Sequence, residues 1–330
     1  MFGLYRFALA FLVVLAHLWP DFNNYAGIYA VFGFYALSGY LMALVLERRY
    51  GHSLSGTVRF LSNRFLRLFP PYWATLLLAY LVIRAWPEVS QGINPSMVLP
   101  SDSSGWLSNW FLFGLNGAKQ RLVPPAWSLD VELCFYIFMG LFLTRNKIIT
   151  KHWARISVGV HLFLLATGAD LGERYYPLLA ASLPFSFGAC IYHFELGKRF
   201  TQRKHLYWAP ILFFLNVTIA PDTNKTGFYL SLLSAGYLIM VLRQVDTKKV
   251  HARLRKADTF LGNLSYPVFL AHWPMAILMI QIGWAEHKGG WLLLVALLPI
   301  LLFAIIIHYV VEVPVETLRR RIRNSSRKGA

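Results

Sequence analysis

The chain has 330 residues, of which 57% are hydrophobic and 14% charged, and its mean hydropathy is +0.48. That balance excludes an ordinary water-soluble domain and points to an all-α, polytopic membrane protein, because backbone inside a bilayer must satisfy its own hydrogen bonds. The formal net charge of +17 does not imply a nucleic-acid partner: the basic residues sit in short segments between apolar runs, where they act as orientation signals.

Residues 2–19 form an apolar segment interrupted by Arg6 and His17, with ten residues between them. On a helix the two lie ~16 Å apart and return to within ~20° of one face. An ionisable group inside a span is costly and usually faces a polar cavity, so His17 is a candidate catalytic base. His17, Leu18, Trp19 and Pro20 follow the apolar core without a small-x-small cleavage site, which reads as a retained span rather than a signal peptide.

About ten spans are expected, at roughly 2–19, 27–46, 71–86, 126–143, 155–169, 176–194, 207–220, 227–243, 263–283 and 291–311. With the N-terminus in the cytoplasm, every lysine and arginine except Arg84, Lys119, Arg121, Arg174, Lys225 and Lys288 falls on the inner side, which places both termini there. The longest outer loop, 87–125, contains an apolar run from Trp106 to Leu115 that is too short to cross and is read as an interfacial or re-entrant helix. Residues 1–318 are read as one membrane domain in contact with lipid, and 319–330 as a basic cytoplasmic tail. Cys134 and Cys190 fall in apolar spans and are read as packing residues; no metal site is expected, and no internal repeat is detectable.

Several short stretches carry chemistry. FYALSGYL places Ser38 and Gly39 in the second span, a pair that can be a packing notch. In RFLRLFPPYW, Arg64 and Arg67 are three residues apart and share a helical face, suited to a phosphate-rich ligand or to lipid headgroups. In PPAWSLDVELCFY, Ser128 can cap a helix bearing Asp130 and Glu132 in its opening turns, and the submerged Glu132 needs a proton, a cation or a histidine. LSYPVFLAHWP holds Ser265, Tyr266, a Pro267 expected near the helix start, and an intramembrane His272 that reads first as a hydrogen-bonded structural group. His308 and Glu312 have the spacing of a helical pair. In the outer loop, Trp106, Asn109 and Trp110 offer aromatic faces and an amide to a sugar acceptor, although tryptophan is also an ordinary interfacial anchor.

In their order and spacing these motifs, closed by the EVP at Glu312–Pro314, resemble acyltransferase family 3, integral membrane enzymes that O-acylate polysaccharides, lipopolysaccharides and related acceptors. The resemblance runs from Leu4 to about Leu318; Tyr5 stands where the family often has leucine, and no hydrolase-like domain follows the last span, so a stand-alone form is expected. The resemblance implies transfer of an acyl group, usually acetyl, from cytoplasmic acyl-coenzyme A as co-substrate to a hydroxyl of a glycan or lipid-linked glycan, at a bacterial inner membrane and without a bound cofactor. It matches His17 to the catalytic histidine, Arg6 to the arginine of the same motif, Arg64 and Arg67 to residues facing the coenzyme A phosphates, and Glu132 to the acid of the tryptophan-serine motif. Glu132 is expected to orient His17, with Ser38, Ser128, Ser265, Tyr266 and His272 in support. The competing class is a transporter or flippase for a lipid-linked sugar or acyl donor; such proteins often show two related halves, and no duplication is detectable here.

Overall fold

The computed structural model describes residues 1–23, 25–219 and 225–325, and all regular structure among them is helical. Helix α1 (Gly3–Leu18) is followed by the single turn α2 (Pro20–Asn23) and by α3 (Ala26–Val45), which continues as a π-helical turn to Tyr50. Next come α4 (Leu54–Ala85), α5 (Pro87–Ile93) and α6 (Ser103–Phe111). A 3₁₀ turn at Pro124–Ala126 leads into α7 (Trp127–Phe138), which ends in a π-helical turn at Met139–Leu143. The chain continues through α8 (Lys147–Ala166), α9 (Leu178–His193), α10 (Arg203–Ile219), α11 (Lys225–Leu242) and α12 (Ala252–Gln281). Finally α13 (Gly290–Ile307) passes through a π-helical turn at His308–Glu312 into α14 (Val313–Ser325).

Among the described residues, five helical segments are long and apolar enough to cross a bilayer: Ala26–Tyr50, Leu54–Ala85, Pro124–Leu143, Ala252–Gln281 and Gly290–Arg323. Gly3–Leu18, Leu178–His193 and Thr226–Leu242 are shorter apolar helices. Leu77, Leu81, Leu162, Phe163, Leu294 and Leu298 point outward, a surface that lipid covers at no cost.

Several expectations about local structure are corrected. The segment read as a loop before a span starting at 71 is one helix of 32 residues, with Pro70 and Pro71 inside it. An internal proline costs about 3 kcal/mol, but here α12 and α14 both pack along α4, and the Tyr266 hydroxyl donates to the Leu68 carbonyl at 2.9 Å just before the proline pair. Pro267 likewise lies well inside α12, because polar residues from Ala252 onward extend that helix beyond the apolar run. Ser128 does not cap α7: its hydroxyl donates to the Pro125 carbonyl at 2.9 Å, while the proline pair itself turns the chain into the helix. The helix expected at Trp106–Leu115 is α6, which starts three residues and ends four residues earlier. The supposed tail from 319 begins inside α14, with its last five residues, 326–330, outside the described part.

Two close crossings set the core. Where α3 meets α9, a Cβ on Gly39 would lie 2.1 Å from the Phe185 carbonyl oxygen and one on Gly188 1.9 Å from that of Ala36. Where α1 starts against α12, a Cβ on Gly262 would lie 2.6 Å from the Gly3 Cα. The Leu4 amide donates to Asp258 of α12 at 2.9 Å, which fixes the register of the two helices from their first turn. The consequence is that His17, near the far end of α1, is delivered to α12 as well.

Gly188→Ala should therefore cost several kcal/mol, because the methyl meets backbone that no side-chain rotation can clear. Gly159, on the open side of α8 with nothing within 4 Å of an added Cβ, is the control. Gly159→Ala should leave the thermal midpoint in detergent unchanged or slightly raised; equal midpoints for the two variants would refute the close crossing.

Candidate active site

Two cavities lie between these helices, and they share Val31 and Phe269 as lining residues. The first, about 90 Å³, is lined by Arg6, Arg64, Arg67, Ser38, Ser128, Glu132, Ser265 and Tyr266, among others. Residues far apart in sequence thus converge from α1, α3, α4, α7 and α12. The second cavity, about 350 Å³, contains His17 together with Trp127, Tyr175, Tyr176, Trp273, Asn94 and Lys288.

The arginine cavity holds more positive than negative charge. Arg64 is buried, stacks over the Phe60 ring at 5.7 Å, and reaches Asn63 Oδ1 at 3.4 Å. Arg319 of α14 reaches the same Asn63 oxygen at 3.4 Å and is paired with Glu316 at 2.8 Å, so α14 closes one side of the cluster. Glu132 is the acid of this cavity. Its Oε1 accepts from the Ser38 hydroxyl and from the Tyr136 hydroxyl, each at 2.5 Å. Ser265 donates to the Gly262 carbonyl at 2.8 Å, within its own helix. His308 and Glu312 form the pair that their spacing predicts, at 2.8 Å.

The partner of His17 differs from the expected one. Glu132 is occupied by two hydroxyls in the other cavity, and His17 Nδ1 instead meets His272 Nε2 at 2.9 Å, with the two rings stacked at 5.0 Å. His272 Nδ1 lies 2.8 Å from the Phe269 carbonyl oxygen. A carbonyl only accepts, so His272 carries its proton on Nδ1 and offers the Nε2 lone pair. His17 must then donate from Nδ1, which leaves its Nε2 lone pair for the cavity. The backbone of α12 thereby dictates the tautomer of a histidine on α1.

The predicted acceptor residues lie elsewhere. Trp106, Asn109 and Trp110 line neither cavity. Asn109 is fully buried, and its amide donates to the Gly105 and Gln120 carbonyls while its oxygen accepts from the Leu122 amide, so it clamps the outer loop. Trp106 packs near Tyr80 at 6.0 Å, and the Trp110 carbonyl accepts from the Trp73 indole at 2.9 Å. The aromatic rings that do surround His17 were missed. One available signal was Lys288, a basic residue stranded on the outer side of the charge distribution; another was Trp273, adjacent to His272.

The comparisons with known proteins bear on this arrangement. A family model described as an acyltransferase domain matches residues 3–311. The chain belongs to that acyltransferase family. With its apolar helices, this makes it an integral membrane protein. A Bacillus subtilis (strain 168) protein named "Putative peptidoglycan O-acetyltransferase YrhL" is 24% identical over 96% of this chain and 54% of its own length. "Nodulation protein 10" of Rhizobium leguminosarum bv. viciae is 23% identical over 78% of this chain and 74% of its own. The chain thus spans about half the length of the Bacillus relative, and no solved structure matches it.

His272→Phe keeps a flat ring in the same place but removes the acceptor for the His17 Nδ1–H. The unpaired donor should lower stability by about 1–3 kcal/mol, read from the thermal midpoint of the purified protein. A midpoint equal to wild type would mean that the two imidazoles are not bonded.

Proposed function

We propose that this acyltransferase moves an acyl group, acetyl in the simplest case, from acyl-coenzyme A to a glycan hydroxyl. The observation that carries the reading is the chain from the Phe269 carbonyl through His272 to His17, which leaves a lone pair in the aromatic cavity, next to the arginine cavity with which it shares Val31 and Phe269. The arginine cavity is the donor end. Arg6, Arg64 and Arg67 suit the phosphates of coenzyme A, whose forked contacts are charge-assisted. In this reading the cavity receives the slender thioester arm and leaves the nucleotide at its mouth. The aromatic cavity is the acceptor end, since flat ring faces suit sugars. The name of the Bacillus relative supports an envelope glycan as the acceptor.

The charge distribution supports ten spans with both termini in the cytoplasm; on that orientation the arginines face the donor side of a bacterial inner membrane. The glycan, free or lipid-linked, then meets the thioester from the opposite side.

In the reaction, the acceptor hydroxyl gives its proton to His17 Nε2 while its oxygen attacks the thioester carbonyl. The new C–O bond forms, the C–S bond breaks, and the departing thiolate takes the proton back from His17. His272 steadies the transient imidazolium by accepting its Nδ1–H, the task expected of a carboxylate. Glu132 serves the donor end, holding Ser38 and Tyr136 beside the arginines. One base suffices for direct transfer, and no covalent enzyme intermediate is required.

His17→Ala should abolish acylation of the cell's glycan at unchanged protein level; retained acylation would favour the transporter class. His272→Ala should lower kcat by about 10²-fold with little change in donor KM. The Arg64→Ala, Arg67→Ala double variant should raise the acyl-coenzyme A KM at least ~10-fold, with arginine-to-lysine changes in between. Radiolabelled acetyl-coenzyme A without acceptor should leave the protein unlabelled; stable label on His17 would replace direct transfer with a two-step route.

A further inference from the structure

The cavity at His17 contains a cation that the transfer scheme does not use. Lys288 lies in the turn between α12 and α13, its ammonium 5.1 Å from the centre of the Trp273 ring. The same ring is 5.3 Å from that of His17. Laid end to end, these distances hold the ammonium within about 10 Å of the imidazole, a gap that one sugar unit and its substituent can cover.

Among the described residues no carboxylate lines this cavity: besides His17 and Lys288, its polar and aromatic lining is Asn94, Trp127, Tyr175, Tyr176, Phe269 and Trp273. Lys288 takes part in none of the ion pairs among the described residues. Burial pulls its ammonium below the ordinary lysine range, with no acid to offset the effect. A cation partly withdrawn from water without a counter-charge is unfavourable, and the Trp273 face compensates only in part. A bound anion would supply the missing counter-charge.

We propose that the acceptor is an anionic saccharide whose carboxylate or phosphate is read by Lys288, within one sugar unit of the hydroxyl that is acylated. The inference rests on the acyltransferase reading and sharpens it. Lys288 and His17 flank the same indole, so docking the anion on one sets the distance of the hydroxyl from the other. A lysine serving only as an interfacial anchor would not distinguish acceptors by charge.

Full-length protein in lipid nanodiscs is titrated with three probes: methyl glucuronide, methyl glucoside and glucose 6-phosphate. Binding is followed by tryptophan fluorescence and transfer by label from acetyl-coenzyme A. At least one anionic probe should bind about tenfold or more tighter than the neutral glucoside, as a charge-assisted contact requires. The better of the two identifies carboxylate or phosphate as the recognised group. Lys288→Gln should erase that preference through KM, and Lys288→Arg should keep most of it. Equal binding of neutral and anionic probes, or no binding of any, overturns the proposal. So does a preference that survives Lys288→Gln, which marks an anchor, or a kcat loss common to all acceptors, which marks a charge acting on the reacting oxygen. If anionic probes bind preferentially but none is acylated, the anion site stands and the transfer reading falls.

Discussion

The contact between α1 and α12 is the constraint on which the rest of the structure depends. It begins with glycine against glycine at Gly3 and Gly262 and ends with imidazole against imidazole at His17 and His272. In a low-dielectric interior an unpaired imidazole N–H is expensive, and the two rings meet that demand for each other. The chain of donors and acceptors terminates in a backbone carbonyl, a group whose role cannot switch. Geometry and protonation are thus fixed by the same helix pair, without a buried carboxylate beside the base.

Around that pair the polar groups separate by charge. Arginines and the acid Glu132 gather in one cavity, while rings and a single ammonium gather in the other. The helix α4 makes this possible by running unbroken through its two prolines, which carries Arg64 and Arg67 into the protein rather than leaving them at a loop. Its unusual backbone is held from outside, by packing with α12 and α14 and by the Tyr266 hydroxyl.

What the sequence revealed was local. Helical period alone put Arg6 and His17 on one stripe, put Arg64 beside Arg67, and paired His308 with Glu312, because each relation lies within one helix. The partner of His17 lies 255 residues away, and no period reports on that. Glu132 was matched to the histidine on chemical need, yet two hydroxyls from α3 and from its own helix meet that need first. Asn109 looked available to a sugar because it stands in an outer loop, but the loop folds back and uses the amide to hold itself. Proline near Tyr72 and Ser265 suggested helix ends; tertiary packing overrode both. Span number and orientation rest on charge asymmetry alone, a property of the bilayer's two sides rather than of the fold.

The shared wall at Val31 and Phe269 has a further effect. A continuous wet path from the arginines to the lysine would let ions run down the membrane potential, where each elementary charge crossing gains ~2.3 kcal/mol per 100 mV. An aliphatic and an aromatic side chain offer an ion neither coordination nor hydration. In the orientation proposed above, the two cavities can face opposite compartments without joining into an ion path, and a neutral acyl group is the cargo best suited to pass that wall.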